Sequence, residues 1–405
     1  MRIELHLLQN FAPSNLNRDD TGAPKDAEFG GCRRARISSQ CQKRAIRSYF
    51  GVHGLIPAAN RGIRTKRLLE YTRAQLQRPG RDDDAISRAV TAALAGGGLK
   101  LDEKNLTQYL LFLGASEVAR FVEVVDRHFD ELTKTAAPAA PAASGAPVKA
   151  TTKKAKADAK TQVPEAVQRA VPALLDGGKA ADLALFGRML ADLPDKNIDA
   201  ACQVAHAIST NALHALEMDY YTAVDDINND TPGADMIGTV EFNSACFYRY
   251  ANLDVAELIG GYRDEKHTCT FGLQGDVELA RTTVTAFIQA FIDAIPSGKQ
   301  NSFAAHNPPS FVFAAVRTGQ PVSLANAFVK PVAPGRNKDL VELSIEALDK
   351  FYGELVRMYG DGGLTYSAVC QMADLPLNNM KPAVGTIKDL IAGVIGAAFP
   401  QGGAA

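Results

Sequence analysis

No stretch of this 405-residue chain approaches the roughly 20 consecutive apolar residues that a membrane-spanning helix needs, so no membrane association is expected. Its first residues, Met1-Arg2-Ile3-Glu4, do not form a basic-then-apolar signal segment, and the expected location is cytoplasmic. Six cysteines without a CxxC pair suit reduced thiols better than a disulfide frame. Nucleotide hydrolysis of the P-loop type is excluded: "FGGCRR", from Phe29, lacks the Lys-Ser/Thr that grips phosphate and Mg²⁺. HExxH, GxSxG and paired Cys/His zinc spacings are also missing, and no cofactor is expected. The seven histidines are scattered, and His206, inside an apolar run, reads as a core histidine. Hydrophobic content of 46% is ordinary for a globular protein, and the length allows two or three domains.

What the chain does have is an uneven charge. Its formal net charge is −1, yet from Arg33 to Arg81 there are thirteen Lys/Arg and one acid, Glu70. That segment is +12, so the remainder sums to −13. Arg33, Arg34, Arg36, Lys43, Arg44 and Arg47 fall within fifteen residues that hold no acid. A basic cluster of this kind is the electrostatic footprint of a polyanion site, because each cation near a phosphate releases condensed counterions. A solvated basic surface is the competing reading.

Residues 2 to 8 alternate Ile3, Leu5, Leu7 against Glu4 and His6, which predicts a half-buried strand. A polar loop, Asn10 to Gly31, follows. Ser39 and Gln42 have the spacing of a capping box opening a helix. At 100° per residue Gln40, Lys43, Arg44 and Arg47 share one face, with Cys41, Ala45, Ile46 and Tyr49 opposite and expected in the core. Several helices are expected over 61–130, among them Arg64–Gln77 and Ala115–Leu132. Composition then breaks: residues 136–160 hold eleven Ala, five Lys and three Pro, too little apolar surface to offset chain entropy, and 135–163 is expected to be a disordered insertion. Helical pattern resumes over 164–193. Ala200–Thr210 is helix or buried strand. Asp219–Tyr250 reads as a long hairpin around an Asn/Asp/Pro/Gly centre. Helices are expected at 280–295, 339–358 and 390–399, and a strand at 309–317. Strands and helices thus alternate on either side of a mostly helical insertion. One acidic group, Asp19, Asp20, Asp26 and Glu28, has the composition of an Mg²⁺ site, although an Asn-Arg-Asp-Asp turn also satisfies itself.

The segment "SNLNRDDTGAPKDAEFGGCRRARISSQCQKRAIR", Ser14 to Arg47, closely resembles the N-terminal signature of the CasC family, the crRNA-binding backbone subunit of the type I-E CRISPR Cascade complex, within the RAMP superfamily. "AHAIST", "YTAVDD", "EFNSACFYRYANLD" and "SLANAF" resemble that family in the same order, and the likeness covers most of the chain outside the Ala/Pro/Lys tract and parts of 53–130. The resemblance implies an α+β fold: an RRM-like (ferredoxin-like) palm over 1–52 and 196–405, helical fingers over 53–195, and a β-hairpin thumb at about 215–245. It also implies a non-catalytic RNA scaffold that polymerises along one guide RNA. The implied partners are crRNA, the target DNA strand of the heteroduplex, copies of itself and other Cascade subunits.

Carried over position by position, the resemblance implies Arg18, Lys25, Ser39, Gln40, Lys43 and Arg47 as guide contacts; Arg36 joins them on charge alone. It further implies that Met189 in "FGRM" and Tyr221-Thr222 in "YTAVDD" wedge bases apart. Packing of Met189 within a helix is the ordinary alternative. The rival function is a metal-dependent RNA-cleaving RAMP subunit using Asp19, Asp20 and Asp26.

Overall fold

The computed structural model describes residues 1–135, 163–213, 216–221, 238–260 and 272–400. The chain divides into two units: residues 1–55, 202–255 and 281–405 form one, and residues 56–201 with 256–280 form the other.

The first unit is built on an antiparallel sheet of nine described strands. Its centre is Arg2–Ser14, paired on one side with Gly238–Asp254 and on the other with Phe311–Arg317, beyond which lies Leu364–Gln371. The long strand Gly238–Asp254 also pairs with Cys202–Val204, Ala207–Ser209 and Glu217–Tyr221. Ala207–Ser209 continues the sheet to Cys32–Ile37, and that strand to Asp26–Phe29. The Ala200–Thr210 run is therefore strand, in two short pieces. The Glu217–Tyr221 ladder supplies the described base of the expected hairpin, ending with Tyr221 opposite Gly238. Thr222 and the rest of the hairpin centre lie outside the described residues, as does the Ala/Pro/Lys tract from 136 to 162.

The central strand departs from expectation. It is buried on both faces, so its polar positions are core positions: Glu4 is 0% exposed and His6 is 1% exposed. Each finds a partner, as buried polar groups must. Glu4 Oε2 accepts from Arg317 Nε at 3.0 Å, and its other oxygen accepts from the Val322 amide. The Tyr248 hydroxyl accepts from the Leu324 amide at 2.9 Å and is hydrogen-bonded to His6 Nδ1 at 2.8 Å. The face bearing Leu8, Phe311, Phe313 and Tyr250 is covered by the helix Leu340–Tyr359 through Ile345, Leu348 and Tyr352. Asp339 caps that helix by accepting from the Glu342 amide.

The second unit is mainly helical. Leu68–Leu76, Asp83–Gly96, Ala115–Arg127, Phe129–Lys134 and Glu165–Leu174 close on a core of Leu69, Ile86, Val90, Val118, Phe121, Val125 and Val167. The expected helix from Arg64 begins late, because Gly62–Thr65 pairs instead with Leu111–Gly114. Residues 115–132 form two helices that meet at His128. Among the described residues no helix is long and apolar enough to cross a membrane.

Candidate nucleic-acid interface

The basic cluster contains cations that are wholly committed to the fold and cations that keep some exposure to solvent. Arg34 is the extreme case. It is 0% exposed, and its guanidinium donates to four backbone carbonyls: Ser209 at 3.0 Å, Thr210 at 2.8 Å, Phe328 at 2.7 Å and Val329 at 3.2 Å. Arg33 is ion-paired with Asp26. These two arginines add to the charge count in the sequence, but one holds the turn after Ala325–Phe328 against the sheet and the other closes a hairpin. Gly30 is required beside them: its φ is +63°, and a Cβ there would collide with the Val329 carbonyl.

The outward cations sit on the helix Ser39–Val52 and the loop before it. The helix has three faces. Gln42, Ile46 and Phe50 are buried; Gln40 and Arg44 are exposed, and Lys43 and Arg47 are half-buried. The side carrying Cys41, Ala45 and Tyr49, expected in the core, is only partly covered and lines an open groove of about 930 Å³ with Arg18, Arg44 and Val52. The expected capping box does not form. Ser38, not Ser39, is the N-cap, its Oγ accepting from the Cys41 amide at 3.3 Å. Gln42 is turned into the core, where its Nε2 donates to the Ala205 carbonyl at 2.8 Å and its Oε1 accepts from Arg249 at 3.3 Å. That frees Ser39 and Gln40 from any capping duty, at the positively polarised end of the helix.

The loop Asn15–Lys25 is a small folded hairpin. Lys25 N–H donates to Asn17 O at 2.8 Å, and Asp19 N–H donates to Ala23 O at 2.9 Å. The Asp19 carboxylate closes the turn, accepting from the Thr21 hydroxyl at 2.7 Å and from the Thr21 and Ala23 amides at 2.9 and 3.0 Å. The Thr21 hydroxyl holds the Asp19 carboxyl below its ordinary pKa. Arg18 is exposed and Lys25 half-buried at the two ends of this hairpin. Arg36 is tied down by Nε donating to Asp26 O at 2.9 Å and Nη1 donating to His206 Nδ1 at 3.1 Å.

Arg18 lines the open groove with Cys41, Arg44 and Ala45, and Lys25 lies beside Arg36, whereas Lys43 and Arg47 lie on another side of the same helix. The structure adds His206, which is exposed rather than core. His206 falls in the break between two short strands, where the alternation of Val204 and Ala207 ceases to predict its side. Burial and the cations Arg36 and Lys25 lower its pKa. The acidic group does not assemble: Asp19 closes its own turn, Asp26 pairs with Arg33, and Glu28 faces Arg33 across the ladder. Among the described residues no three His, Cys, Asp or Glu are placed to hold a metal ion.

Met189 lies in the second unit and is 80% exposed, outside any helix, which removes helix packing as its role. Its neighbours are anchored. Arg188 is buried in a two-oxygen ion pair with Glu117, both contacts 2.9 Å, and its backbone exchanges two hydrogen bonds with Ile198. Leu190 is buried, and its amide donates to Asn197 Oδ1 at 2.7 Å. A large apolar side chain is thus held out into solvent between two fixed residues.

No curated protein matches the chain. Among solved structures it is similar to a chain of a "CRISPR RNA-guided surveillance complex, pre-nicking", with 28% identity, a TM-score of 0.78, and coverage of 98% of this chain and 100% of the other. A chain of a second "CRISPR RNA-guided surveillance complex" shares the fold at 24% identity and a TM-score of 0.72, over 98% of this chain and 100% of the other. The CT1975-like protein family matches from residue 3 to residue 392, and the chain belongs to that family.

Proposed function

We propose that this protein is the crRNA-binding backbone subunit of a type I-E CRISPR surveillance complex, polymerising along the guide RNA in the cytoplasm and presenting it in segments for pairing with invading DNA. The observation that carries the reading is the set of cations on the first unit: a pre-folded loop carries Arg18 and Lys25, and after the hairpin of Asp26–Phe29 and Cys32–Ile37 the helix Ser39–Val52 carries Lys43 and Arg47 with Ser39 and Gln40. Such an arrangement grips sugar-phosphate and carries no base readout, which suits a subunit that must accept any guide. Under this reading the sheet unit is the RRM-like palm, the helical unit the fingers, and the Glu217–Tyr221 ladder the base of the thumb. The partners are crRNA, the target DNA strand, further copies of the chain and other subunits of the complex. The subunit is a scaffold and not an enzyme. The rival, cleavage by Asp19, Asp20 and Asp26, gains nothing from the geometry of those carboxylates.

Reversing Lys43 and Arg47 to Glu tests the reading. Binding to two unrelated guide sequences should weaken equally, and the dependence of log affinity on log salt should flatten by up to about two units. Loss confined to one sequence would show base readout. The exposed Met189, with Tyr221 and Thr222, is assigned the role of a base wedge. Single mismatches along the target should then show periodic minima in their penalty, against about 1–2 kcal/mol for an ordinary lost step. A flat profile removes that assignment.

A further inference from the structure

We propose that Asn17 is the positioning residue that fixes the spacing between the loop and the helix sets of guide-binding residues; this rests on the RNA-binding reading above. Arg18 and Lys25 belong to the loop, whereas Ser39, Gln40 and Lys43 belong to the helix start. A polyanion with a fixed phosphate spacing gains from both sets only if their separation is set before it binds, because ordering a loop on binding offsets part of the interaction. Asn17 sits at the joint. Its side-chain Oδ1 accepts from the Ser38 amide at 2.8 Å, and its backbone carbonyl accepts from the Lys25 amide at 2.8 Å. Ser38 is itself the N-cap of the helix. One residue therefore grips the start of the helix with its side chain and meets the far arm of the loop with its backbone.

Besides this joint, the Arg36 amide donates to the Lys25 carbonyl at 2.9 Å, so Asn17 sets the near arm of the loop and the strand Cys32–Ile37 sets the far one. Asp19 keeps the turn closed, so the loop moves as one piece. Asn15, 1% exposed, donates from Nδ2 to Gly22 O at 3.0 Å and to Glu241 O at 2.8 Å, fixing the loop to the long strand at its other end. Gly298 backs the loop so closely that a Cβ would collide with the Leu16 carbonyl. Strand and backing hold one end; toward the helix the loop is held by the Asn17 amide and by the weaker contact of Cys41 Sγ to the Leu16 carbonyl at 3.8 Å.

The test uses the full-length protein and a fluorescein-labelled single-stranded RNA of mixed sequence, with affinity measured across a salt series. Each phosphate contact to a single strand contributes about 0.7 to the slope, so loss of the Arg18 contact flattens it by as much. Asn17→Ala should flatten the slope by that amount, and adding it to Arg18→Ala should flatten it no further. Asn17→Gln, which keeps the amide but moves its carbonyl by one methylene, should do the same and serves if the alanine variant does not fold. A purely structural role would lower the melting temperature and leave the slope of the folded protein intact, and that result overturns the proposal, as does slope loss that adds to the Arg18 loss. A wild-type chain that binds no RNA, or whose slope ignores Lys43→Glu/Arg47→Glu, overturns the RNA-binding reading and this proposal with it.

Discussion

Replacing Arg34 by Met should damage the protein far more than replacing any outward cation, although both changes look alike in the sequence. Met keeps most of the volume but removes every donor. The carbonyls of Ser209, Thr210, Phe328 and Val329 each lose the guanidinium hydrogen bond they accept. A buried polar group left without its partner costs about 1–3 kcal/mol. Three such losses are an upper bound, because the Thr210 carbonyl also accepts from the Val332 amide at 2.9 Å and removing the buried cation recovers several kcal/mol of desolvation. The net expected loss is about 3 kcal/mol, the cost of the orphaned carbonyls less the recovered desolvation. For a unit of this size class, at about 2–4 °C per kcal/mol, the melting temperature should fall by roughly 10 °C. Arg44→Met, on the exposed face of the helix, is the control and should stay within about 0.5 kcal/mol. Because Arg34 is out of reach of solvent ions, its effect should be the same at low and high salt. Differential scanning calorimetry at two salt concentrations measures all of this. A melting temperature for Arg34→Met within about 2 °C of the wild type would refute the accounting.

Glu117→Gln should destabilise the helical unit by about 3–5 kcal/mol, since it leaves Arg188 buried without its counter-charge; faster proteolytic cutting near Met189 reports it. Burial lowers the His6 pKa below 6.5. Below pH 6.5 the unfolded chain therefore binds a proton that the folded chain refuses, so stability is unaffected above that value and falls as the pH drops through it. Melting curves between pH 8 and 5 on wild type and His6→Asn check the sign, the variant showing the shallower fall. Replacing residues 136–162 by a short Gly/Ser segment should leave the melting temperature unchanged, because the tract has no aromatic and almost no branched apolar residue to pack; failure to fold would show that it is structural.

Local pattern alone sufficed for much of the architecture. Periodicity located the helices at Leu340–Tyr359 and Val277–Asp293 and the strand Phe311–Arg317, because an apolar stripe at helical or alternating spacing leaves the backbone few other ways to bury it. Charge counting marked the candidate interface, since thirteen cations against one acid need no fold to be noticed. What pattern could not decide was the side on which each polar residue falls. Glu4 and His6 alternate as solvent-facing residues would, yet the sheet is covered on both faces and they are core. Arg34 lies between Arg33 and Ala35 with nothing local to mark it, and only the approach of Thr210 and Val329, distant in sequence, turns it from a phosphate candidate into a strut. His206 moved the other way, from expected core to surface, because the strand Cys202–Val204 ends two residues before it. Residue identity determines which groups can carry charge and which must be buried; how far each cation stays exposed depends on the carbonyls, carboxylates and apolar groups that tertiary packing brings around it.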